Sequence, residues 1–163
     1  MRYASIRKMD VVNADGVGVS LFVQGCTHHC KGCFNPETWS FEGGKEYTEE
    51  TEQLIFDLVN RPYIDCFSVL GGEPLQQDEN LVNLLRKIRK NTNKRDLLCM
   101  LWTGYENPLD TEIGRIMVAE NLVDTWVVGP YIEAKRDLTL KWRGSSNQKI
   151  ISNKIFQKQL KNA

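Results

Sequence analysis

The apolar run Ile64-Asp65-Cys66-Phe67-Ser68-Val69-Leu70 leads directly into Gly71-Gly72-Glu73-Pro74. A short apolar run bounded by glycines is typical of a buried β-strand. The segment that follows, Asp78 to Lys90, places leucine and isoleucine at the spacing of an amphipathic helix. A buried strand followed by such a helix is the repeating unit of a parallel α/β sheet.

The alternation of strand and helix continues in both directions from this unit. Further strands are predicted at Gly18–Gln24, Leu97–Trp102 and Leu122–Val128, and further helices after the capping residue Thr48 and over Asp110–Glu120. The sequence contains no repeat, low-complexity tract or linker, so residues 1–163 are predicted to form a single domain. A complete eight-stranded β/α barrel takes about 250 residues, which excludes a full barrel.

Composition and charge narrow the classes of function. The 163 residues (18.7 kDa) are 41% hydrophobic and 26% charged, which suits a globular core. Lysine plus arginine number 21, as do aspartate plus glutamate, so bulk charge argues against a nucleic-acid or anionic-membrane partner. The sequence has no apolar run near the roughly 18 residues of a membrane span and no signal-peptide core after Met1. We therefore expect a cytoplasmic protein.

Each predicted strand is followed by a segment that contains glycine together with cysteine, proline or aromatic residues. A cysteine-rich segment, residues 26–33, follows the first strand, and Gly71–Pro74 follow the second. The next two strands end at Trp102–Tyr105 and at Gly129–Tyr131. Because ligands of parallel α/β sheets bind beyond the carboxyl ends of the strands, these four segments predict one active site.

The cysteine-rich segment reads Cys26-Thr27-His28-His29-Cys30-Lys31-Gly32-Cys33, a C-x3-C-x2-C spacing. Structural zinc takes four ligands and iron–sulfur cubanes commonly take four cysteines, whereas this motif supplies three. Either a fourth ligand comes from elsewhere or one metal position stays open for a small molecule. A zinc site using His28 or His29 and a loop of unliganded thiols are the alternatives. We favour an iron–sulfur cluster with an open iron.

The other two of the five cysteines carry a different prediction. Cys66 and Cys99 each stand alone inside an apolar run. A single cysteine in such a run behaves as a small apolar side chain. Both are therefore predicted to fill the core and not to bind the metal.

Two motifs together resemble the radical S-adenosylmethionine (radical SAM) enzymes: the three cysteines followed by Phe34, and Gly71-Gly72-Glu73-Pro74 after the next strand. Within that superfamily, the chain is similar to the activating proteins of anaerobic (class III) ribonucleoside-triphosphate reductase. The narrower resemblance is carried by residues 10–13, 21–39, 102–105 and 142–148. The last of these stretches, Trp-Arg-Gly-Ser-Ser-Asn-Gln, is the one that narrows it to this family.

The resemblance implies a fold and a reaction. The fold would be an α/β single-domain partial β/α barrel of about five or six parallel strands. A 4Fe-4S cluster would bind S-adenosylmethionine through its open iron and cleave it reductively. The resulting 5′-deoxyadenosyl radical would take hydrogen from a glycine of the reductase, the protein partner, leaving a glycyl radical. The electron donor is not identified, and no side chain is assigned as catalytic, because cluster and cofactor carry the chemistry.

The resemblance also assigns site residues. The cluster ligands would be Cys26, Cys30 and Cys33. The cofactor would be bound by Gly32, Cys33 and Phe34 at the adenine, by Gly71, Gly72 and Glu73 at the methionyl amino group, and by Thr103 at the ribose or amino-acid part. Ordinary turns at Gly71–Pro74 and Thr103–Gly104, and core packing of Phe34, are the plain structural alternatives.

Several points stay open in the sequence. Arg143 and Asn147 would contact the cofactor carboxylate, the partner or each other, or have a structural role. Gly18 stands where the family has an arginine, and Val128 replaces an acidic residue, so contacts by those side chains are in doubt. The competing functions are a radical enzyme acting on a small molecule, as in the deazapurine-synthesising branch, and a zinc-binding interaction module.

Overall fold

The strand predicted at residues 64–70 lies in the middle of a mixed β-sheet. The computed structural model describes residues 1–92 and 96–163. Its strands are β1 Arg2–Asp10, β2 Gly18–Val23, β3 Lys45–Glu46, β4 Cys66–Gly71, β5 Leu98–Thr103, β6 Thr125–Val128 and β7 Lys149–Ser152. Its α-helices are α1 Glu49–Val59, α2 Glu79–Asn91, α3 Glu112–Ala119 and α4 Asn153–Lys161. The chain therefore has the predicted α/β class.

The order of strands across the sheet is β3-β1-β2-β4-β5-β6-β7. In the described ranges β2, β4, β5 and β6 run parallel, whereas β1, β3 and β7 pair antiparallel. The expectation of about five or six parallel strands is therefore wrong. The connection between β1 and β2, residues 11–17, is too short for a parallel crossover, which needs a dozen or more residues.

The four helices cover one face of the sheet. The parallel strands follow one another across the sheet in chain order, and right-handed crossovers then place α1, α2 and α3 on the same side. The last helix, α4, follows β7 and packs on α3. Accordingly α1 contacts α2, α2 contacts α3 and α3 contacts α4. Phe67 and Val69 of β4 belong to the large core under these helices, together with the fully buried Trp126. None of the helices in the described part of the chain is long and apolar enough to cross a membrane.

Local sequence signals explain where the helices begin. Thr48 caps α1, since its hydroxyl accepts a hydrogen bond from the N–H of Thr51. Asp78 caps α2 in the same way by accepting from the N–H of Asn80. Both elements therefore form where the sequence predicts them.

The opposite face of the sheet carries a smaller cluster. Ala14, Cys66 and Met100 are buried there, with Trp102 and Trp142 packed against them. The indole Nε1 of Trp102 donates to the carbonyl oxygen of Trp142 over 2.7 Å. Cys99 is buried in the core on the helical side. Both isolated cysteines are therefore core residues, as predicted.

Asp10 closes the turn between β1 and β2. Its carboxylate is buried and accepts hydrogen bonds from the N–H groups of Val12 and Asn13, from the Asn13 amide and from the Ser20 hydroxyl. Burial by itself raises the pKa of Asp10, but the hydrogen bonds from Asn13, Ser20 and Val12 outweigh it and hold the pKa below its usual value. The folded protein therefore favours the ionised carboxylate.

This shift predicts an acid-dependent effect of Asp10→Asn. A carboxylate with a lowered pKa stabilises the fold above its unfolded pKa of about 3.9, and that contribution is lost as pH falls through the folded pKa. We expect the variant to lose about 1–2 kcal/mol of unfolding free energy at pH 7. The difference from wild type should shrink below about pH 4 in urea titrations. Asp15→Asn, at an exposed carboxylate of the same loop, is the control; a pH-independent difference would contradict the assignment.

Candidate functional site

The carboxyl ends of the parallel strands meet at one edge of the sheet. The N–H of Gly72 donates to the carbonyl of Val23 at the end of β2 over 2.8 Å. The N–H of Gly129, after β6, donates to the carbonyl of Tyr105, after β5, over 2.9 Å. The four segments that the sequence singled out are thus brought together.

Backbone contacts fix the segment that carries the cysteines. Cys26 is buried, whereas Cys30 and Cys33 are partly exposed. The N–H of Cys33 donates to the carbonyl of Cys30 over 3.1 Å, which closes a turn whose Gly32 has φ +75°. The N–H of Asn35 points at Cys33 Sγ over 3.4 Å. The turn thus presents two of its thiols outward.

The surroundings of the sulfur atoms fit thiolate ligands of a cluster. Burial raises the pKa of the Cys26 thiol, and the backbone N–H groups of His28 and His29 act in the opposite direction. Hydrogen bonds from backbone N–H groups to sulfur are one of the means by which proteins tune iron–sulfur clusters. Cys26 and Cys33 both have such donors. These donors would suit cluster thiolates at Cys26 and Cys33.

A site for a single zinc ion needs a different arrangement of ligands. Zinc binds thiolate at about 2.3 Å and gathers four ligands around one point. Among residues 1–92 and 96–163, no three His, Cys, Asp or Glu side chains are arranged to hold one metal ion. Three thiolates on a four-iron cluster bind three different irons and therefore stand further apart. Metal analysis of the protein therefore distinguishes the cluster from the zinc alternative.

The glycines after β4 allow two backbones to approach. Gly71 has φ +107°, a conformation that L side chains rarely adopt. A Cβ atom added to Gly72 would lie 2.5 Å from the carbonyl oxygen of Gly25. The N–H of Glu73 donates to that same oxygen over 2.8 Å. The glycines therefore hold the end of β4 directly against the residue that precedes Cys26.

Glu73 is the centre of this edge, with a side chain only 1% exposed. Its Oε1 accepts from the N–H of Leu75 over 2.9 Å and from the hydroxyl of Thr103 over 2.7 Å. Its Oε2 lies 2.7 Å from the N–H of Gly104 and 2.9 Å from Nε2 of His28. The hydrogen bond that His28 makes to the Glu73 carboxylate raises the pKa of His28 above its usual value, although burial opposes this. One carboxylate thus joins three of the four segments.

The remaining predicted contact residues have clear positions. Thr103 is buried, and its hydroxyl also accepts from the N–H of Tyr105 over 3.2 Å. The ring of Phe34 is 51% exposed and packs at 4.9 Å against Tyr131. The guanidinium of Arg136 stands 5.4 Å from the centre of the same ring. Phe34 is therefore a surface residue beside the cysteines, so the core alternative does not apply.

The stretch 142–148 braces the end of β6. Gln148 accepts from the N–H of Gly144 over 2.8 Å and donates to the carbonyl of Gly129 over 3.1 Å. Asn147 donates through Nδ2 to the carbonyl of Pro130 over 2.7 Å. Arg143 donates to the carbonyl of Lys141 over 3.4 Å. The family-specific stretch thus shapes the loop that lies beside the cysteines.

Buried polar atoms without partners mark this region. Among the side chains that the structure describes, Trp39 Nε1, Tyr131 Oη and Asn147 Oδ1 are buried and have no hydrogen-bond partner. Trp39 stacks on His29 with 4.5 Å between ring centres, and Tyr131 packs on Phe34. Buried polar groups normally find a partner. Trp39 and Tyr131 thus lie beside the cysteine loop, and Asn147 lies at Pro130 in the loop after β6. Unpartnered polar atoms of this kind are expected where a polar ligand binds.

Gly18 and Val128, which depart from the family pattern, both lie in closely packed surroundings. A side chain at position 18 would begin 2.6 Å from Cβ of Ala14, so this packing has no room for an arginine. Val128 is 2% exposed, and a carboxylate there would be buried in the core. Both substitutions therefore agree with their surroundings.

Sequence reasoning missed the polar side chains that tie the edge together. The sequence indicates His28 only as a possible metal ligand, Gln148 only as part of the stretch 142–148, and Gln76 not at all. Gln76 accepts from the N–H of Thr27 over 2.9 Å and donates to the Thr27 hydroxyl over 2.7 Å. These partners are distant in the chain, so no local pattern reports them.

Comparisons with known proteins agree with this site. A family described as a 4Fe-4S single cluster domain matches residues 12–151. Two relatives named anaerobic ribonucleoside-triphosphate reductase-activating protein, from Salmonella typhi and Escherichia coli K12, are 36% and 34% identical over 92% of this chain and 97% of theirs. A protein of the same name from Enterobacteria phage T4 is 33% identical over 94% of this chain and 95% of its own. With its cysteine loop, glycine edge and nearly full-length similarity, the chain belongs to the family of anaerobic ribonucleoside-triphosphate reductase-activating proteins.

Proposed function

We propose that this chain activates an anaerobic ribonucleoside-triphosphate reductase as a radical SAM enzyme that installs a glycyl radical. The observation that carries the proposal is the three-cysteine loop, which Glu73 joins to the glycine edge through His28. The family of the chain and its nearly full-length similarity to named activating proteins support the same function.

Each part of the site has a role in this proposal. When bound, a reduced 4Fe-4S cluster and S-adenosylmethionine supply a 5′-deoxyadenosyl radical, which takes a hydrogen atom from a glycine of the reductase. Cys26, Cys30 and Cys33 would hold the cluster as thiolates and leave one iron for the cofactor. The backbone of Gly32–Phe34 would contact the adenine. Gly71–Glu73 and Thr103 would contact the amino-acid and ribose parts.

In this proposal the protein side chains orient the cofactor and exclude water from it, and no side chain takes part in bond making or breaking. Glu73 places negative charge beneath the edge where the methionyl amino group would lie. The buried, unpartnered Tyr131 hydroxyl and Asn147 Oδ1 offer polar contacts beside the cysteines. Phe34 and Tyr131 supply apolar cover on the same side. Such fixed polar groups in a shielded site favour charge redistribution without reorganisation.

The proposed sheet is that of a partial barrel. Helices on one face only and parallel strands in chain order are features of a β/α barrel. A partial barrel in one domain of 163 residues has an open side, which the reductase closes when it presents its glycine. Because the net charge is zero, shape and local groups recognise the partner. A separate electron donor reduces the cluster.

The test is anaerobic reconstitution of the chain with iron and sulfide, followed by reduction and addition of S-adenosylmethionine. We expect about four irons per chain, formation of 5′-deoxyadenosine, and a glycyl-radical signal in the electron paramagnetic resonance spectrum of an added class III reductase. Cofactor cleavage with no signal on the reductase would favour a small-molecule radical enzyme. Stoichiometric zinc without iron would favour the zinc module, and either result would overturn the proposal.

A further inference from the structure

His28 lies at the joint between the cysteine loop and the glycine edge. It is the second residue after Cys26 and the second before Cys30. Its ring meets Tyr105 edge-on at 4.9 Å between ring centres. A Cβ atom added to Gly104 would lie 2.6 Å from the ring. The imidazole is therefore enclosed by the segment after β5.

The polar end of His28 is directed at Glu73. Nε2 lies 2.9 Å from Oε2 of that carboxylate. Because an ionised carboxylate only accepts hydrogen bonds, the imidazole nitrogen is the donor. The pair is buried on the glutamate side, so solvent does not compete for the bond. His28 thus anchors the loop to the one side chain that also holds Thr103 and Gly104.

Glu73 has no acceptor site left after these contacts. A carboxylate offers about four lone-pair sites. Leu75, Thr103, Gly104 and His28 already fill four. Glu73 would therefore act on the cofactor's amino group through its charge and through the backbone it holds in place, while direct hydrogen bonds from that group fall to backbone carbonyls.

We propose that His28 is a positioning residue: its hydrogen bond to Glu73 sets the separation between the cysteine loop and the glycine edge, and thereby orients S-adenosylmethionine against the open iron. This rests on the proposed radical SAM function. The cofactor would span both segments, since its amino and carboxylate groups would bind the open iron beside the cysteine loop while the amino group also lies against the glycine edge. An untethered loop would have to be ordered at the moment of binding, which lowers affinity.

A second contact also holds the cysteine loop, so His28 affects the orientation of the loop and not its attachment. Gln76 holds Thr27 through two hydrogen bonds and donates to the Tyr105 hydroxyl over 3.2 Å. With this contact kept, loss of the His28 bond leaves the loop attached but free to tilt. We therefore expect weaker cofactor binding with the cluster still assembled.

Two matched variants test the inference. His28→Gln keeps a side-chain N–H near the position of Nε2, whereas His28→Asn is one methylene shorter and does not reach Glu73. His29→Asn is the control, because its side chain stacks on Trp39 and its φ of +47° is one that asparagine tolerates. Each reconstituted protein is reduced and titrated with S-adenosylmethionine. The readouts are iron per chain and the cofactor concentration at which half of the cluster's electron paramagnetic resonance spectrum has changed.

All three variants should carry as much iron as wild type. His28→Asn should need about ten-fold more cofactor, equivalent to about 1.4 kcal/mol, and His28→Gln and His29→Asn less than three-fold more. The inference is overturned if His28→Asn titrates like wild type, if His28→Gln shows the same weakening, or if His28→Asn loses its iron. A wild-type cluster that ignores the cofactor would instead refute the proposed function.

Discussion

Cys30→Ala should abolish formation of 5′-deoxyadenosine under conditions in which the wild-type chain cleaves S-adenosylmethionine. The motif supplies only three thiolates, and a cluster with two protein ligands has no fixed orientation toward the glycine edge. Cys30 is partly exposed, so alanine leaves no cavity in the core. The variant should therefore fold like wild type while losing at least 100-fold in rate, on the order of what a misplaced reacting group costs.

The control for this experiment is Cys66→Ala. Cys66 is fully buried, and its sulfur lies 3.4 Å from the Ser68 hydroxyl on the sheet face away from the helices. Alanine there should cost about 1 kcal/mol of stability but leave iron content and cofactor cleavage intact. Iron, 5′-deoxyadenosine and the midpoint of thermal unfolding are measured on both variants. A Cys30→Ala protein that cleaves the cofactor at the wild-type rate would refute the ligand assignment.

The central strands and their helices could be predicted because each carries its own signal. β4 and β5 combine apolar runs with glycines at their ends, α2 has helical spacing after the cap Asp78, and all three occur within two residues of the predicted bounds. These elements bury their apolar residues locally, so pattern alone reports them. The same pattern predicted that the strand ends converge, which the hydrogen bonds across Gly72 and Gly129 bear out.

The edges of the sheet could not be predicted in this way. β1 has a single buried residue, Asp10, and its other residues are exposed or partly exposed without a regular apolar alternation. Backbone hydrogen bonds to β2 hold this strand in the sheet, and the side-chain pattern of β1 does not indicate them. At the other edge, α4 is held by Asn153, whose side chain accepts from Trp126 Nε1 over 2.9 Å and donates to Asn121 over 3.0 Å. Such long-range polar contacts have no local sequence signature.

In the candidate site, too, local sequence patterns could be predicted and long-range contacts could not. The cysteine spacing and the glycines indicate the chemistry of the site, because few kinds of site other than a metal centre need three thiols within eight residues. The partners of Glu73 come from positions 28, 75, 103 and 104, and only the folded chain brings them together. The sequence therefore predicted what the site binds more readily than how the site is held rigid.

Glu73→Gln is expected to have the largest effect on stability among the site variants, even without cluster or cofactor. Glutamine replaces one carboxylate oxygen by an NH₂ group, which is itself a donor. In either amide orientation this group faces two donors: Leu75 N–H and the Thr103 hydroxyl, or Gly104 N–H and His28 Nε2. The residue is almost fully buried, so water does not replace the missing acceptor.

An unsatisfied buried group costs about 1–3 kcal/mol, and breaking a buried charged pair about 3–5 kcal/mol. We expect Glu73→Gln to lose about 3 kcal/mol of unfolding free energy in urea titrations of the metal-free protein at pH 7. Glu106→Gln, at an exposed glutamate of the neighbouring segment, should change it by less than about 0.5 kcal/mol. Equal stability of the two variants would mean that the edge does not depend on the Glu73 charge. A loss confined to Glu73→Gln would show that the fold itself keeps the cysteine loop and the strand ends in register before any ligand binds.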